Sequence, residues 1–550
     1  MDSLIPREDF EAIAAEISTT PSSLSTTLRL NDLGPESLIY NVLRKPDFQR
    51  ETGNWTPDKV AELVSSFVEG DLIPSVILWR SPESGKIFVI DGAHRLSALI
   101  AWVHDDYGDS HVSRRFFDNS IPAEQIKAAD ATRKLIADRI GAYADLGLAL
   151  RNSDTAPEEK LRIARNLGAF AINLQWVVGE AEKAESSFFR INQKATPIDQ
   201  TELDMIKARR KPNAVAARAF IRAGTGNKYW SKFPAENQSD IENLGREVYD
   251  LIFKPDLDPR ITTADLPVAG RGYSADSLKM VFELVNFVND FTPEMWRDAD
   301  DSEGQGKKAK NAPPPLADDD DGEATVRCMR AVRRSASRIA GNDPASLGLH
   351  PAVYFYTATG LFQPAAFLAA IAFVRELYSK HEVAKFTSIR AAFEEFLVEH
   401  KHFFNLIVRR YGSMHRAVPA ILEMHRTIYR ALSDGEDTAG AIERLKAVEA
   451  LKTSLQSIDP EGQEHGQNFS KATKNAVILK SVIAIAPKCG ICNARVNLRS
   501  VTFDHIHRKE DGGTGAPSNA QLAHPYCNSG YKESNTASAR VQASLFEPDI

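Results

Sequence analysis

The 550-residue chain carries a net charge of -7, with 43% hydrophobic and 26% charged residues. This is the balance of an ordinary globular protein, and at roughly 100–200 residues per domain it calls for two to four domains. No stretch reaches the ~18–20 uninterrupted apolar residues of a membrane span, and the first residues carry acids rather than an apolar secretory core, so no membrane partner and a cytoplasmic location are expected.

In chain order, residues 1–40 read as a helical extension. A mixed unit over 41–225 follows: "SVILWR" and "KIFVIDG" read as strands joined by the turn "SPESG", "AHRLSALIAWV" as a helix, and 123–220 as mostly helical, ending in a basic run. Residues 226–460 read as a helical region. Within it, 298–324 is Pro-, Gly- and charge-rich without periodicity, as in a disordered loop. "LFQPAAFLAAIAFV" reads as a buried helix and "FEEFLVEHKHFFNLIVRRY" as one strong amphipathic segment. "SIDPEGQEHGQ" reads as a linker to a C-terminal unit over 466–550. From Gly466 onward, ten Lys/Arg stand against six Asp/Glu, a net +4 in an acidic chain. The fold class expected is α+β, mostly helical.

"VIDGAHRLSAL" places Asp91 and Gly92 at a strand end and His94 and Arg95 on the first turn of a helix. A helix N-terminus with free N–H groups and a nearby guanidinium is a natural phosphate site, although a plain strand–turn–helix packing corner would look similar. Three further stretches accompany it: "RKPDFQRETGNWT" from Arg44, "FVEGDLIPSVIL" from Phe67 and "FFRINQKATPIDQTEL" from Phe188. Together, from about Leu43 to Ala208, these resemble the DGQQR domain (DUF262) of the ParB/sulfiredoxin-like superfamily. The central motif departs, reading Asp-Gly-Ala-His-Arg, closer to the DGQHR variant of proteins tied to DNA phosphorothioation. The resemblance implies a nucleotide site for GTP, ATP, CTP or UTP. Asp91, Gly92, His94 and Arg95 would face the nucleotide, Gln49 and Arg50 would line the pocket and Asn192 would close it. It also implies kinship with type IV, modification-dependent restriction enzymes that act against phage, many of which end in an HNH nuclease.

Three of the four cysteines cluster near the end. Cys489-Gly-Ile-Cys492 is one knuckle, and His524-Pro-Tyr-Cys527 is a second. Two turns, each presenting two ligands, are what a structural tetrahedral Zn²⁺ needs; a thiol redox pair would want a thioredoxin-like βαβ pattern that is missing around it. Cys328, alone in a helical pattern, reads as a small buried apolar residue.

Between the knuckles lies "VTFDHIHRKEDGG", then "SNAQLAHPYCN". This order resembles the HNH endonuclease family and its ββα-metal fold through Asp504-His505, Gly512-Gly513, Asn519 and Cys527-Asn528. The resemblance implies His505 as general base, Asp504 and Asn528 as ligands of one catalytic Mg²⁺ or Mn²⁺, and Asn519 as the residue holding the loop that orients His505. His507 reads as a solvent-exposed spare. Two departures stand out: His524 replaces a usual cysteine, and Lys532 falls four residues after Asn528 where the family's lysine falls three after.

The reading is a metal-dependent anti-phage DNA nickase under the control of NTP binding or hydrolysis, or of modified-DNA sensing, with the helical middle transmitting or doubling as a DNA platform. A homo-oligomer is left open. The rivals are a non-enzymatic DNA-binding regulator with a ParB-like module and a zinc ribbon, and an indiscriminate RNase or toxin nuclease.

Overall fold

In a computed structural model of the chain, six short strands of the N-terminal region form one mixed sheet. The residues described are 1–8, 10, 24–49, 55–119, 121–195, 200–257, 261, 263, 265–296, 313–412, 416–455 and 468–533. They fall into two units. One comprises Met1–Gln238, Tyr273–Lys279 and Pro293–Gly322; the other comprises Ser239–Gly272, Met280–Thr292 and Glu323–Ile550. The architecture is α+β and mostly helical, as expected, and no helix among the described residues is long and apolar enough to cross a membrane.

The sheet of the first unit is built from β1 (Arg7–Glu8), β2 (Thr27–Arg29), β3 (Leu43–Pro46), β4 (Val76–Arg80), β5 (Ile87–Asp91) and β6 (Ala171–Val177), in the order β1-β3-β5-β4-β6-β2. β3 and β5 are parallel, with Leu43 opposite Ile87, so their carboxyl ends share one edge. The two-residue period of strands sends alternate side chains to opposite faces. Val76, Leu78 and Val89 pack against Val60 and Val64 of the helix Pro57–Glu69 and against Leu96 and Leu99 of the helix Ala93–His104. Trp79, Phe88 and Ile90 form a second core with Phe10, Phe48 and Phe188.

Two stretches differ from the sequence reading. Residues 24–33 hold β2 and a 3₁₀ turn rather than part of a helical extension, because Leu28 turns inward between exposed Thr27 and Arg29 while β2 pairs with β6. β6 itself lies inside the stretch expected to be helical. Its alternation, Ile172 and Leu174 inward and Asn173 and Gln175 outward, is a strand's, and it completes the sheet beside β4. Residues 11–23 lie outside the described residues.

Of the segment expected to be disordered, 298–312 lies outside the described residues. Residues 313–322 are fixed instead: Lys211 donates to Leu316 O (2.7 Å) and meets Asp318 at 3.3 Å, and the Asp319 N–H bonds Arg210 O at 2.9 Å. The acid run is thus tied to a basic segment of its own unit. Elsewhere in this unit, buried Asp2 meets Arg7 (2.9 Å), Lys45 (3.4 Å) and Arg222 (3.1 Å). Burial opposes ionisation there, but the three cations together hold its carboxyl well below the usual range.

In the second unit, the helices Pro364–Ser379, Val383–Glu399, His402–Tyr411 and Val418–Ser433 surround an aromatic core. The amphipathic run expected to be continuous breaks at His400–Lys401, where the buried Lys401 ammonium donates to Val353 O (3.0 Å) and Tyr356 O (2.8 Å). Two backbone carbonyls thus take up a cation that a straight helix would leave unsatisfied in the core.

His425 is a weak point of this core. Its ring packs on Phe373, Phe393 and Phe404, and neither nitrogen has a hydrogen-bond partner among the described residues. Desolvation lowers its pKa to about 3. The folded value lies below the roughly 6.5 of an unfolded histidine, so the stability that its neutral ring contributes is complete above that pH. It is lost as pH falls toward 3, at up to about 1.4 kcal/mol per unit. His425→Leu should therefore flatten the acid limb of stability between pH 6 and 4, measured as the urea midpoint across pH; an unchanged acid limb would show that other groups set it.

Candidate active site and metal centre

Cys489, Cys492, His524 and Cys527 converge, their ligand atoms all within 4.8 Å of one another. His524 Nδ1 stands 3.4 Å from Cys492 Sγ and 3.6 Å from Cys527 Sγ. A tetrahedron with Zn–S of about 2.3 Å and Zn–N of about 2.0–2.1 Å puts S and N about 3.6 Å apart, so the set fits zinc. Without an ion, the three thiols share hydrogen bonds with one another. Hydrogen bonds from Cys492 and then Cys527 hold Cys489 low, and the same contacts with Cys489 push Cys492 up to about 11 and raise Cys527. Three thiolates this close are stable together only around a dication. His524 Nε2 bonds Arg495 O at 2.9 Å, which reserves Nδ1 for the ion.

The knuckles do not stand alone. The Arg495 N–H donates to Glu394 Oε2 at 2.8 Å, and Glu394 Oε1 takes Arg390 Nε at 2.8 Å and the Tyr354 hydroxyl at 3.2 Å. Arg390 and Glu394 are both fully buried on the helix Val383–Glu399. Further bonds run from Tyr526 N to Ser346 O (2.9 Å) and from Asn342 Nδ2 to Arg499 O (3.1 Å). The metal turns are therefore built into the helical unit, although the segment between them, 456–467, lies outside the described residues.

On this base sit β7 (Thr502–His505) and β8 (Ala520–Ala523), antiparallel, with Asp504 opposite Gln521 and His505 opposite Ala520. Strand alternation buries Asp504 and leaves His505 half-buried on the side shared with exposed Phe503. Asn519 clamps the intervening loop: its Oδ1 accepts the His507 N–H (2.7 Å), and its Nδ2 donates to His507 O (3.0 Å) and Thr514 O (2.7 Å). His507 is exposed. The second knuckle opens a π-turn, Cys527–Tyr531, which carries Asn528; its Nδ2 donates to Phe503 O (3.4 Å) and Thr502 Oγ1 (3.3 Å), leaving Oδ1 as an acceptor. Asp504 and Asn528 thus offer hard oxygen donors of the kind Mg²⁺ and Mn²⁺ take.

Two residues beside Asp504 were not assigned a role from the sequence. Gln521 Nε2 donates to Asp504 Oδ2 at 2.8 Å, and Lys532 Nζ lies 2.9 Å from both carboxylate oxygens. Gln521 was legible only through cross-strand register, which sequence does not supply. Its amide also lies against the knuckle: a Cβ at Gly490 would fall 2.0 Å from Gln521 Oε1, so a side chain there would push that amide aside.

In the first unit, Gly92 takes φ 90° between β5 and the helix Ala93–His104, a left-handed conformation that suits glycine. Arg95 is already engaged, by Asp91 Oδ2 (2.7 Å) and Ser75 O (3.1 Å). His94 stacks on Trp55 at 5.7 Å. Gln49 follows β3, at the same sheet edge as Asp91; it is buried, with Oε1 lacking a partner among the described residues. Arg50 and the side chain of Asn192 lie outside the described residues.

The strand pair, the helical turn through Cys527 and a four-residue knuckle that fits a metal such as zinc have the layout of the ββα-metal class. Residues 489–534 match the family model of the HNH endonuclease, and residues 33–209 match that of the GmrSD restriction endonuclease, N-terminal domain. The chain thus joins a segment similar to the GmrSD (DUF262-type) N-terminal domain to one similar to the HNH endonuclease, a pairing that supports a restriction-type DNA endonuclease. No curated protein and no solved structure matches it.

Because His524 and Glu394 are joined through one residue, the cost of metal loss should reach past the knuckles. Cys492→Ser should lose one equivalent of zinc and also loosen the helix Val383–Glu399, read by metal analysis and by faster amide exchange in that helix. Zinc-free wild type would refute the ligand set, and unchanged exchange would refute the coupling.

Proposed function

We propose that the chain is an anti-phage defence enzyme that nicks DNA with its HNH domain under the control of its N-terminal domain. The observation that carries the reading is the position of His505, half-exposed on a strand between a clamped loop and a four-ligand metal knuckle. In this reading His505 takes a proton from the attacking water, the general-base role that a positioned imidazole commonly fills. Asn519 fixes the loop and thereby the direction of the imidazole. Asp504 and Asn528 hold one Mg²⁺ or Mn²⁺, which when bound supplies positive charge for the phosphate and the leaving oxygen. The substrate proposed is phage DNA, in modified form.

His505→Ala should lower plasmid nicking by about 10²–10⁴-fold while zinc content and folding stay at wild-type levels. Retained nicking would reassign the base, and cleavage of RNA in preference to DNA would favour an indiscriminate nuclease instead.

Control is proposed to lie at the sheet edge that carries Asp91, Gly92, His94, Arg95 and Gln49, with Arg50 and Asn192 completing a site for GTP, ATP, CTP or UTP. What supports this is a helix N-terminus and a guanidinium at one corner, at the carboxyl ends of parallel strands, where α/β sheets bind ligands. A phosphate there would have to share Arg95 with Asp91. Arg95→Ala should weaken nucleotide binding about tenfold or more by calorimetry, losing a charge-assisted contact of roughly 1.5–3 kcal/mol, with zinc content unchanged. If wild type binds none of the four nucleotides, the site reduces to the packing corner that its geometry also permits.

A further inference from the structure

The geometry points to Lys532 as an internal counter-ion that the catalytic divalent metal must displace from Asp504. The inference rests on the metal-site reading above and concerns how that site is loaded.

Lys532 Nζ lies 2.9 Å from Asp504 Oδ1 and 2.9 Å from Oδ2, and it also donates to His505 O. An ammonium equidistant from both oxygens sits on the bisector of the carboxylate, the direction from which a chelated divalent ion would approach. Gln521 already takes Oδ2 from the side, and the Asp504 side chain is only 5% exposed. The accessible face of the carboxylate is therefore the one the ammonium covers. A dication and an ammonium cannot share that face, since two cations within a few ångströms in a half-buried site repel strongly.

The backbone explains how the lysine gets there. Lys532 follows Asn528 by four residues, and the intervening helix is a π-turn in which the Lys532 N–H reaches back five residues to Cys527 O. An extra residue absorbed as a π-turn is a recurrent device at functional sites. Here it keeps Asn528 against β7 while Lys532 reaches Asp504. The side chain is 19% exposed and ends a flexible four-carbon stem, so it has somewhere to go when a metal enters.

Two consequences follow. Metal binding without DNA is weakened by the contact it must break. The released ammonium, next to where a scissile phosphate must come to meet the metal, becomes a phosphate-binding charge. A phosphate that holds the released ammonium thereby favours metal binding, and by linkage metal favours DNA to the same degree.

The test is calorimetric titration of the zinc-loaded full chain with Mn²⁺, in the absence of DNA. Lys532→Met should bind Mn²⁺ roughly tenfold or more tightly than wild type, since the charge-assisted contact no longer competes. Lys532→Arg, which keeps the charge, should remain weak. Asp504→Asn should abolish binding in every background. Mn²⁺ binding that depends on Asp504 but is no tighter in Lys532→Met overturns the counter-ion role and leaves the metal site standing. No Asp504-dependent binding in any variant overturns the metal site and this inference with it. A second measurement needs no substitution: acylation of Lys532 in wild type, followed by peptide mass spectrometry, should be several-fold faster with Mn²⁺ than without, and equal rates would overturn the inference.

Discussion

A single carboxylate without solvent contact, Glu394, organises the second unit. One oxygen is held by Arg390 and Tyr354 of the helical region, and the other by the N–H of Arg495 in the metal-bearing segment. The pair Arg390–Glu394 is fully buried, where removal of one partner typically costs about 3–5 kcal/mol because the other charge is stranded. The carbonyl of Arg495, the same residue whose N–H Glu394 grips, orients His524. Folding of the helices and assembly of the ligand set therefore share one residue, through the two peptide groups that flank its Cα. This is how a module of about sixty residues, too small for an ample core of its own, acquires a rigid foundation.

The convergence of the C-terminal Cys and His residues was legible in the sequence. Two knuckles at fixed spacing point to four candidate ligands because short turns dictate where their side chains go, and the structure gathers Cys489, Cys492, His524 and Cys527. The strand carrying Asp504 and His505 and the loop held by Asn519 follow from local pattern as well. What surrounds Asp504 was not legible. Gln521 meets it through cross-strand register, and Lys532 through a π-turn, neither of which is a local propensity. The tie to Glu394 spans about a hundred residues, and no periodicity encodes a contact of that separation.

In the N-terminal unit, the strands β4 and β5 and the helix after them were legible from β-branched runs and the glycine between them. β6 was not, although its alternation is plain in "AINLQWV": flanking helical patterns outweighed a seven-residue signal that only pairing with β4 makes decisive. The motif at Asp91–Arg95 shows the opposite limit. Sequence correctly places a guanidinium at a helix start, but it does not reveal that Asp91 and Ser75 already engage it. A group that looks poised for a ligand is, by geometry, also part of the corner's own packing.

Gly490 brings the knuckle directly against the strand that carries Asp504's partner. The knuckle backbone presses on Gln521, and Gln521 in turn holds Asp504, with no side chain at residue 490 to cushion the contact. A larger soft ion between the same four ligands would widen the turn at Cys489–Cys492 and be felt, through one amide, at the carboxylate. An ion held there would in that sense act as a shim for the strand that carries Asp504.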